Sequence, residues 1–366
     1  MHLRIPRAAA ALVFAAVALA LAVTAAIASN GSNALPHAAT AKKAKYTIYL
    51  SNNFLGNDWR QQMERVARVV VRKRPLRGRV DLRIENVETT VQAQINSLNN
   101  IIRRRPDAIL IDAGSGTALN PTISRACARG ILVISFDQVV TAPCAWKLQS
   151  NWNAIPRVLA AWLARQLRGR GNVFLDLGLA GAPISAQIAN GYRAVLRKFP
   201  RIRVIGTFNG NYALGPEQSG VASLLSAHPD VDGIFTQGYG VGALRALRQA
   251  NRRPVPVTAF SYNTTAVTCA RTRGARCILG SNPAYLSAEA IRLAVRQLDA
   301  GNRRRAQSTY LYTPYLTTHP MRIRGYGYSK QLKIRIGKTA FPNLPPGLTL
   351  PISPRWVKIT PAEAAG

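Results

Sequence analysis

The sequence predicts an α/β protein made of two doubly wound parallel-sheet lobes, one following the other. Three observations point there. Short runs such as Ala108-Ile109-Leu110-Ile111 and Ile131-Leu132-Val133-Ile134 are apolar at every position, the pattern of strands covered on both faces by helices. Between such runs lie stretches whose apolar residues recur at helical spacing. The alternation then repeats in the second half of the chain, and two such lobes imply a cleft between them, at the carboxyl ends of the strands.

Taken in order, the chain opens with Met1 to Arg7, which holds two arginines and no acid, followed by an almost unbroken apolar run from Ala8 to Ala28. Ala26-Ile27-Ala28 places small residues just before polar Ser29. This describes a secretory signal over 1–28. An uncleaved anchor is the alternative, because the run reaches the ~20 residues that span a bilayer. No Cys follows the run, so lipid attachment there is not expected. Residues 29–44 are small, polar and basic and read as a linker. The remainder is expected outside the cytoplasm, in the periplasm or on the outer face of the membrane.

Tyr46 to Leu50 reads as a strand, and 58–73 places Met63, Val66, Val69 and Val70 on one helical face. Val80 to Ile84 alternates as a strand does, and Val91, Ile95, Leu98, Ile101 and Ile102 form the next helical stripe. The two wholly apolar strands follow, separated by a helix from about Pro121 to Arg129. The second series sets helices at 154–168, 184–198, 217–227 and 240–250 before strands at 173–175, 202–205, 233–235 and 255–258. A helix at 286–300 and one strand at 309–316 close the series. Six prolines between Pro342 and Pro361 mark 336–366 as an extended tail packed on the surface.

Four cysteines, Cys127, Cys144, Cys269 and Cys277, permit two disulfides in an exported chain. Close spacing suggests Cys127–Cys144 and Cys269–Cys277, although three pairings exist in principle. No CxxC occurs, and His2, His37, His228 and His319 are scattered, so neither metal nor other cofactor is expected. The formal charge of +34 suits nucleic acid, anionic polymers or membrane surfaces. Arginine is nevertheless spread along the whole chain, which reads as a compositional bias on a solvated surface. Export removes intracellular nucleic acid as a partner.

Several stretches together resemble the periplasmic sugar-binding proteins of ABC importers, of the ribose- and galactose-binding type. They are Tyr46 to Phe54 with Trp59 soon after; Gln94 to Leu98, continuing through Arg105-Pro106-Asp107 to Ile111; Gly130 to Asp137; and His228 to Phe235, running on to Leu247. The resemblance covers roughly 45–325. It implies a type I periplasmic binding fold with a three-segment hinge crossed near Ser150, Asn282 and Tyr310. The first lobe would be 45–150 plus 283–309, and the second 151–282 plus 310–335. It also implies capture of a small polar solute, a sugar or polyol, by a monomer that closes on it and delivers it to an ABC permease; a ligand-sensing receptor domain for a sugar-like or nucleoside signal is the alternative.

A sugar presents hydroxyls at its rim and C–H faces above and below, so amides and carboxylates suit the rim and aromatic rings the faces. The resemblance places candidate contacts at Asn53, Phe54, Asn57 and Trp59 after the first strand. It adds Asp137 after a buried strand, with Gln138 where the family often has Arg. Gln187 stands near another family Arg, and Gln237 and Tyr239 stand where the family has an Asn-Asp pair. Asn263 lies near a later family Asp, Asn282 occupies a common Gln position, and Tyr212 completes the set. The pocket is expected to keep amides, lose Arg and gain tyrosines.

Other classes fit less well. A transcription regulator on the same core needs a helix-turn-helix of ~50–60 residues before it, and an apolar segment stands there instead. No nucleophile elbow or HExxH argues for an enzyme. Gly238-Tyr239-Gly240-Val241-Gly242 lacks the Lys-Ser/Thr of a phosphate loop and reads as a tight turn.

Overall fold

The strands Ala108–Asp112 and Leu132–Phe136 are buried at every position, as strands sandwiched between helix layers must be. A computed structural model of the chain describes residues 46–88, 90–302 and 306–366. The expected signal (1–28) and linker (29–44) lie outside them. Among the described residues no helix is long and apolar enough to cross a membrane.

The first lobe alternates β1 (Tyr46–Asn52), α1 (Asp58–Val70), β2 (Val80–Asn86), α2 (Val91–Arg103), β3 (Ala108–Asp112), α3 (Asn120–Ala128) and β4 (Leu132–Phe136), then adds β5 (Trp146–Ser150). After Ser150 the second lobe follows as α4 (Ile155–Gln166), β6 (Arg170–Asp176), α5 (Pro183–Leu196), β7 (Arg201–Phe208), α6 (Leu214–Ala227), β8 (Gly233–Phe235), α7 (Val241–Gln249), β9 (Val257–Phe260), α8 (Asn263–Arg271) and β10 (Cys277–Gly280). Beyond Asn282, α9 (Leu286–Asp299) packs against α1 and β4 of the first lobe. It is followed by β11 (Ser308–Leu311), which pairs with β5, and by β12 (Tyr315–Thr317) and β13 (Gln331–Lys333), which belong to the second sheet.

The two sheets run β11-β5-β4-β3-β1-β2 and β13-β12-β10-β9-β8-β6-β7, and every pairing is parallel except β10 with β12. The expected strand at 309–316 is therefore two strands in different sheets. Pro314 stands between them, and a proline cannot donate to a ladder. The third passage falls after Leu311, beyond the expected Tyr310, because Leu311 still pairs with Ser150.

The tail departs from an extended surface segment. Leu348, Thr349 and Leu350 are buried. Thr349 bridges to Tyr262 of the second lobe, and its N–H donates to Gln62 Oε1 of α1 at 2.7 Å. The chain then reaches α10 (Pro361–Ala365), which lies on α1. Thr360 and Glu363 cap that helix reciprocally, and Lys73 Nζ stands 2.7 Å from Glu363 Oε1. Apolar Leu348, Ile359 and Ala364 join the core, which is why this Pro-rich segment is docked rather than loose. Two disulfides, Cys127–Cys144 and Cys269–Cys277, staple one lobe each.

Candidate functional site

The loops that follow β1, β4, β8 and β9 meet across a cleft of about 580 Å³, at the carboxyl ends of the strands where α/β sheets bind ligands. At its base lies Arg60. Asn57 caps α1 by accepting from Arg60 N–H, and the first turn carries the Arg60 side chain inward, where it is buried. Its Nη1 is 2.6 Å from Asp112 Oδ2 and also donates to the Oδ1 atoms of Asn52 and Asn53, at 2.5 and 3.2 Å.

Asp137 directly follows β4 with φ of 58°, a left-handed conformation that Asp tolerates better than most residues. Its Oδ1 accepts from Asn282 Nδ2 at 2.8 Å. Asn282 is a knot of the hinge: its Oδ1 accepts from Ser150 Oγ at 2.7 Å and its carbonyl from Trp59 Nε1 at 2.6 Å. Burial pushes the Asp112 carboxyl well above the usual carboxylate range, with Arg60 pulling it back. Burial also raises Asp137, opposed by Arg60 and then by Asn282.

Three buried polar atoms on residues lining the cleft have no hydrogen-bond partner among the described residues: Gln138 Oε1, Gln237 Oε1 and Trp152 Nε1. Buried polar groups are normally satisfied, and these two acceptors and one donor on cleft residues are exceptions. The Gln237 amide is held in place, its Nε2 donating to the carbonyls of Asp176 and Ser185 at 3.0 and 3.2 Å. The rings of Phe54, Trp59, Trp152, Tyr212, Phe260 and Tyr262 supply the apolar part of the wall, and Trp152 meets Phe260 edge-on at 5.4 Å. Among the described residues no group of three His, Cys, Asp or Glu gathers that could hold a metal ion.

Of the twelve candidate residues, Asn53, Phe54, Asn57, Trp59, Asp137, Gln138, Tyr212, Gln237 and Asn282 line the cleft, and Gln187, Tyr239 and Asn263 do not. On α5, Ile184 and Ile188 form the inward stripe and leave Gln187 exposed. The Tyr239 hydroxyl donates to Asp58 Oδ2 of the first lobe at 2.8 Å, and its ring stacks on Tyr262 at 4.0 Å, so it ties the lobes together behind the cleft. Asn263 spends its amide on the carbonyls of Phe341 and Leu344 in the tail, at 2.8 and 3.1 Å.

Sequence reasoning missed Arg60, Trp152, Phe260 and Thr349. The pocket does contain an arginine, delivered from α1 rather than from the loops searched. The Asn57 cap three residues earlier was its available signal.

This two-lobed fold, with a polar cleft at its hinge, is that of the periplasmic binding proteins. Residues 48–303 match the family model for the periplasmic binding protein domain, and the chain belongs to that family. Among its relatives, the xylitol-binding protein of Mycolicibacterium smegmatis is 24% identical over 220 residues, covering 59% of this chain and 60% of that protein. The ribose import binding protein of Bacillus subtilis is 20% identical over 244 residues, covering 66% of this chain and 78% of its own length. Among solved structures, an ABC transporter periplasmic solute-binding protein from Actinobacillus succinogenes with bound D-allose aligns with TM-score 0.65 and 20% identity, over 73% of this chain and 96% of that one. The binding protein component of the arabinose ABC transporter from Shewanella sp. ANA-3 aligns with TM-score 0.66 and 18% identity, over 74% and 91%. These structures share the fold.

Proposed function

We propose that this protein is an extracytoplasmic solute-binding protein that captures a sugar or polyol in the inter-lobe cleft and delivers it to an ABC-type import permease. The observation that carries the reading is the pairing of unpartnered Gln138 Oε1, Gln237 Oε1 and Trp152 Nε1 with surrounding aromatic rings. Hydroxyls donate to the two amide oxygens and to Asp137, one hydroxyl accepts from the indole N–H, and C–H faces lie on the rings. The relatives that bind xylitol and import ribose support this ligand class. Two disulfides suit an oxidising compartment, and the apolar, basic-flanked start of the sequence supports export.

A thermal-shift screen over pentitols, pentoses, hexoses and nucleosides tests the reading. A ligand that binds the folded state alone raises stability by about 2.7 kcal/mol at a hundredfold excess over its Kd, so at least one sugar or polyol raises the melting temperature by several degrees. A rise with a nucleoside and none with any sugar or polyol defeats it.

A further inference from the structure

A second polar feature lies at the opposite edge of the second sheet, where its strands begin. Arg168, Arg170, Arg201 and Arg203 surround an open groove of about 720 Å³, and all four are exposed. Arg170 opens β6 and Arg201 opens β7 as direct partners, and Asn172 partners Arg203. Side chains alternate along a strand, so Arg170, Arg201 and Arg203 share one face. Like charges directly opposite one another destabilise a sheet, and among the described residues none of the four arginines has an ion-pair partner.

The one acid lining the groove is already engaged. Asp232 Oδ2 accepts from Asn172 N–H at 2.7 Å. Gly171, at φ 133°, lets the carboxylate sit so close that a Cβ there would lie 2.7 Å from it. The first lobe shows that arginine-rich composition alone does not produce this. At its corresponding edge, β1 and β2 begin with Tyr46 opposite Val80, and the neighbouring Arg79 is paired at 2.5 Å with Asp299.

We propose that this end of the second lobe is a binding site for ligands carrying two or more phosphate groups, held by guanidinium forks from adjacent strands. The planar fork matches phosphate oxygens two at a time. The same chemistry is offered by a soluble oligophosphate and by the headgroups of an anionic phospholipid surface. The site stands apart from the solute cleft and does not depend on what that cleft binds.

The test titrates sodium tripolyphosphate into the purified protein by calorimetry, and separately sediments it with phosphatidylglycerol or phosphatidylcholine vesicles. Two variants are compared: R170Q/R201Q in the groove, and R72Q/R77Q, which removes the same charge from exposed positions on the first lobe. Loss of two charge-assisted contacts weakens binding about tenfold or more in R170Q/R201Q and about twofold or less in R72Q/R77Q. Tripolyphosphate binding without vesicle binding assigns a soluble ligand, and phosphatidylglycerol-selective sedimentation abolished in R170Q/R201Q assigns the headgroup. Equal weakening in both variants makes net charge the cause and overturns the proposal, as does a wild-type protein that binds neither probe.

Discussion

Replacing Asn282 with Ala probes the hinge and the cleft together. The substitution removes the donor to Asp137 Oδ1 at 2.8 Å and the acceptor for Ser150 Oγ at 2.7 Å, while the carbonyl that receives Trp59 Nε1 stays. A hydrogen bond to a charged group is worth about 1.5–3 kcal/mol and a neutral one about 0.5–1.5, so the loss at neutral pH is about 2–4 kcal/mol. For a protein of this size that corresponds to about 4–8 °C of melting temperature.

The deficit depends on pH with a definite sign. Burial raises the Asp137 carboxyl above its ordinary value, and a raised carboxyl contributes stability that is present at low pH and lost as pH rises through its folded pKa. Asn282 opposes that rise, so its removal enlarges the loss on the alkaline side only. Calorimetric melting at about pH 4 and pH 7.5 should show the smaller deficit at the acid end, about 1–2 kcal/mol, because protonation weakens the bond from Asn282 to the carboxylate. An equal deficit at both pH values, or a shift below about 1 °C at pH 7.5, refutes the assignment of Asn282 as a group that supports the Asp137 charge beside Arg60.

Glu217 is buried beneath the start of α7, and desolvation pushes its carboxyl up to about 7 although the Gly240 and Ala243 N–H groups donate to it. Its contribution is fully present below about pH 4.5 and fades as pH rises through 7, a loss on the order of 3 kcal/mol; E217Q should flatten the dependence of the urea midpoint on pH, and an unchanged slope contradicts this. The disulfides close 17- and 8-residue separations, so C127S/C144S costs about 3 kcal/mol and C269S/C277S slightly less by loop entropy. Urea denaturation checks both, and a cost below about 1 kcal/mol for the longer loop removes its structural role. Ending the chain at Pro345 removes both Thr349, which joins Gln62 of the first lobe to Tyr262 of the second, and α10, which pairs with Lys73. The ligand-free radius of gyration by small-angle scattering should rise while the liganded value stays, and identical values would show that the tail does not restrain the lobes.

Most of the architecture was legible because burial on both faces writes itself as unbroken apolar runs, as in β3 and β4. Elements with mixed composition were not. Trp146-Lys147-Leu148-Gln149-Ser150 forms β5 with alternating burial, and α8 is rich in Thr, a weak helix former, stabilised here by packing and by the tail. In the cleft, residues directly after strands were readable because strand ends aim them there, which located Asn53, Asp137 and Gln237. Arg60 and Thr349 were hidden for different reasons. Arg60 depends on the helical phase after its cap, and Thr349 arrives from a segment whose docking depends on long-range contacts with α1 and the hinge. Gln187, Tyr239 and Asn263 fall outside the cleft lining because resemblance gives a position but not a partner, and each side chain is either turned outward or taken by a protein contact.

The central claim is that Asp137 and the two unpartnered amide oxygens read a hydroxylated solute. It is tested most directly by calorimetric titration of the best polyol or sugar into the wild type, Asp137→Ala and Gln237→Leu. Each variant removes a group proposed to bind ligand hydroxyls, so its Kd should rise about tenfold or more. A solute that binds all three proteins with the same affinity would place its site elsewhere and contradict the account.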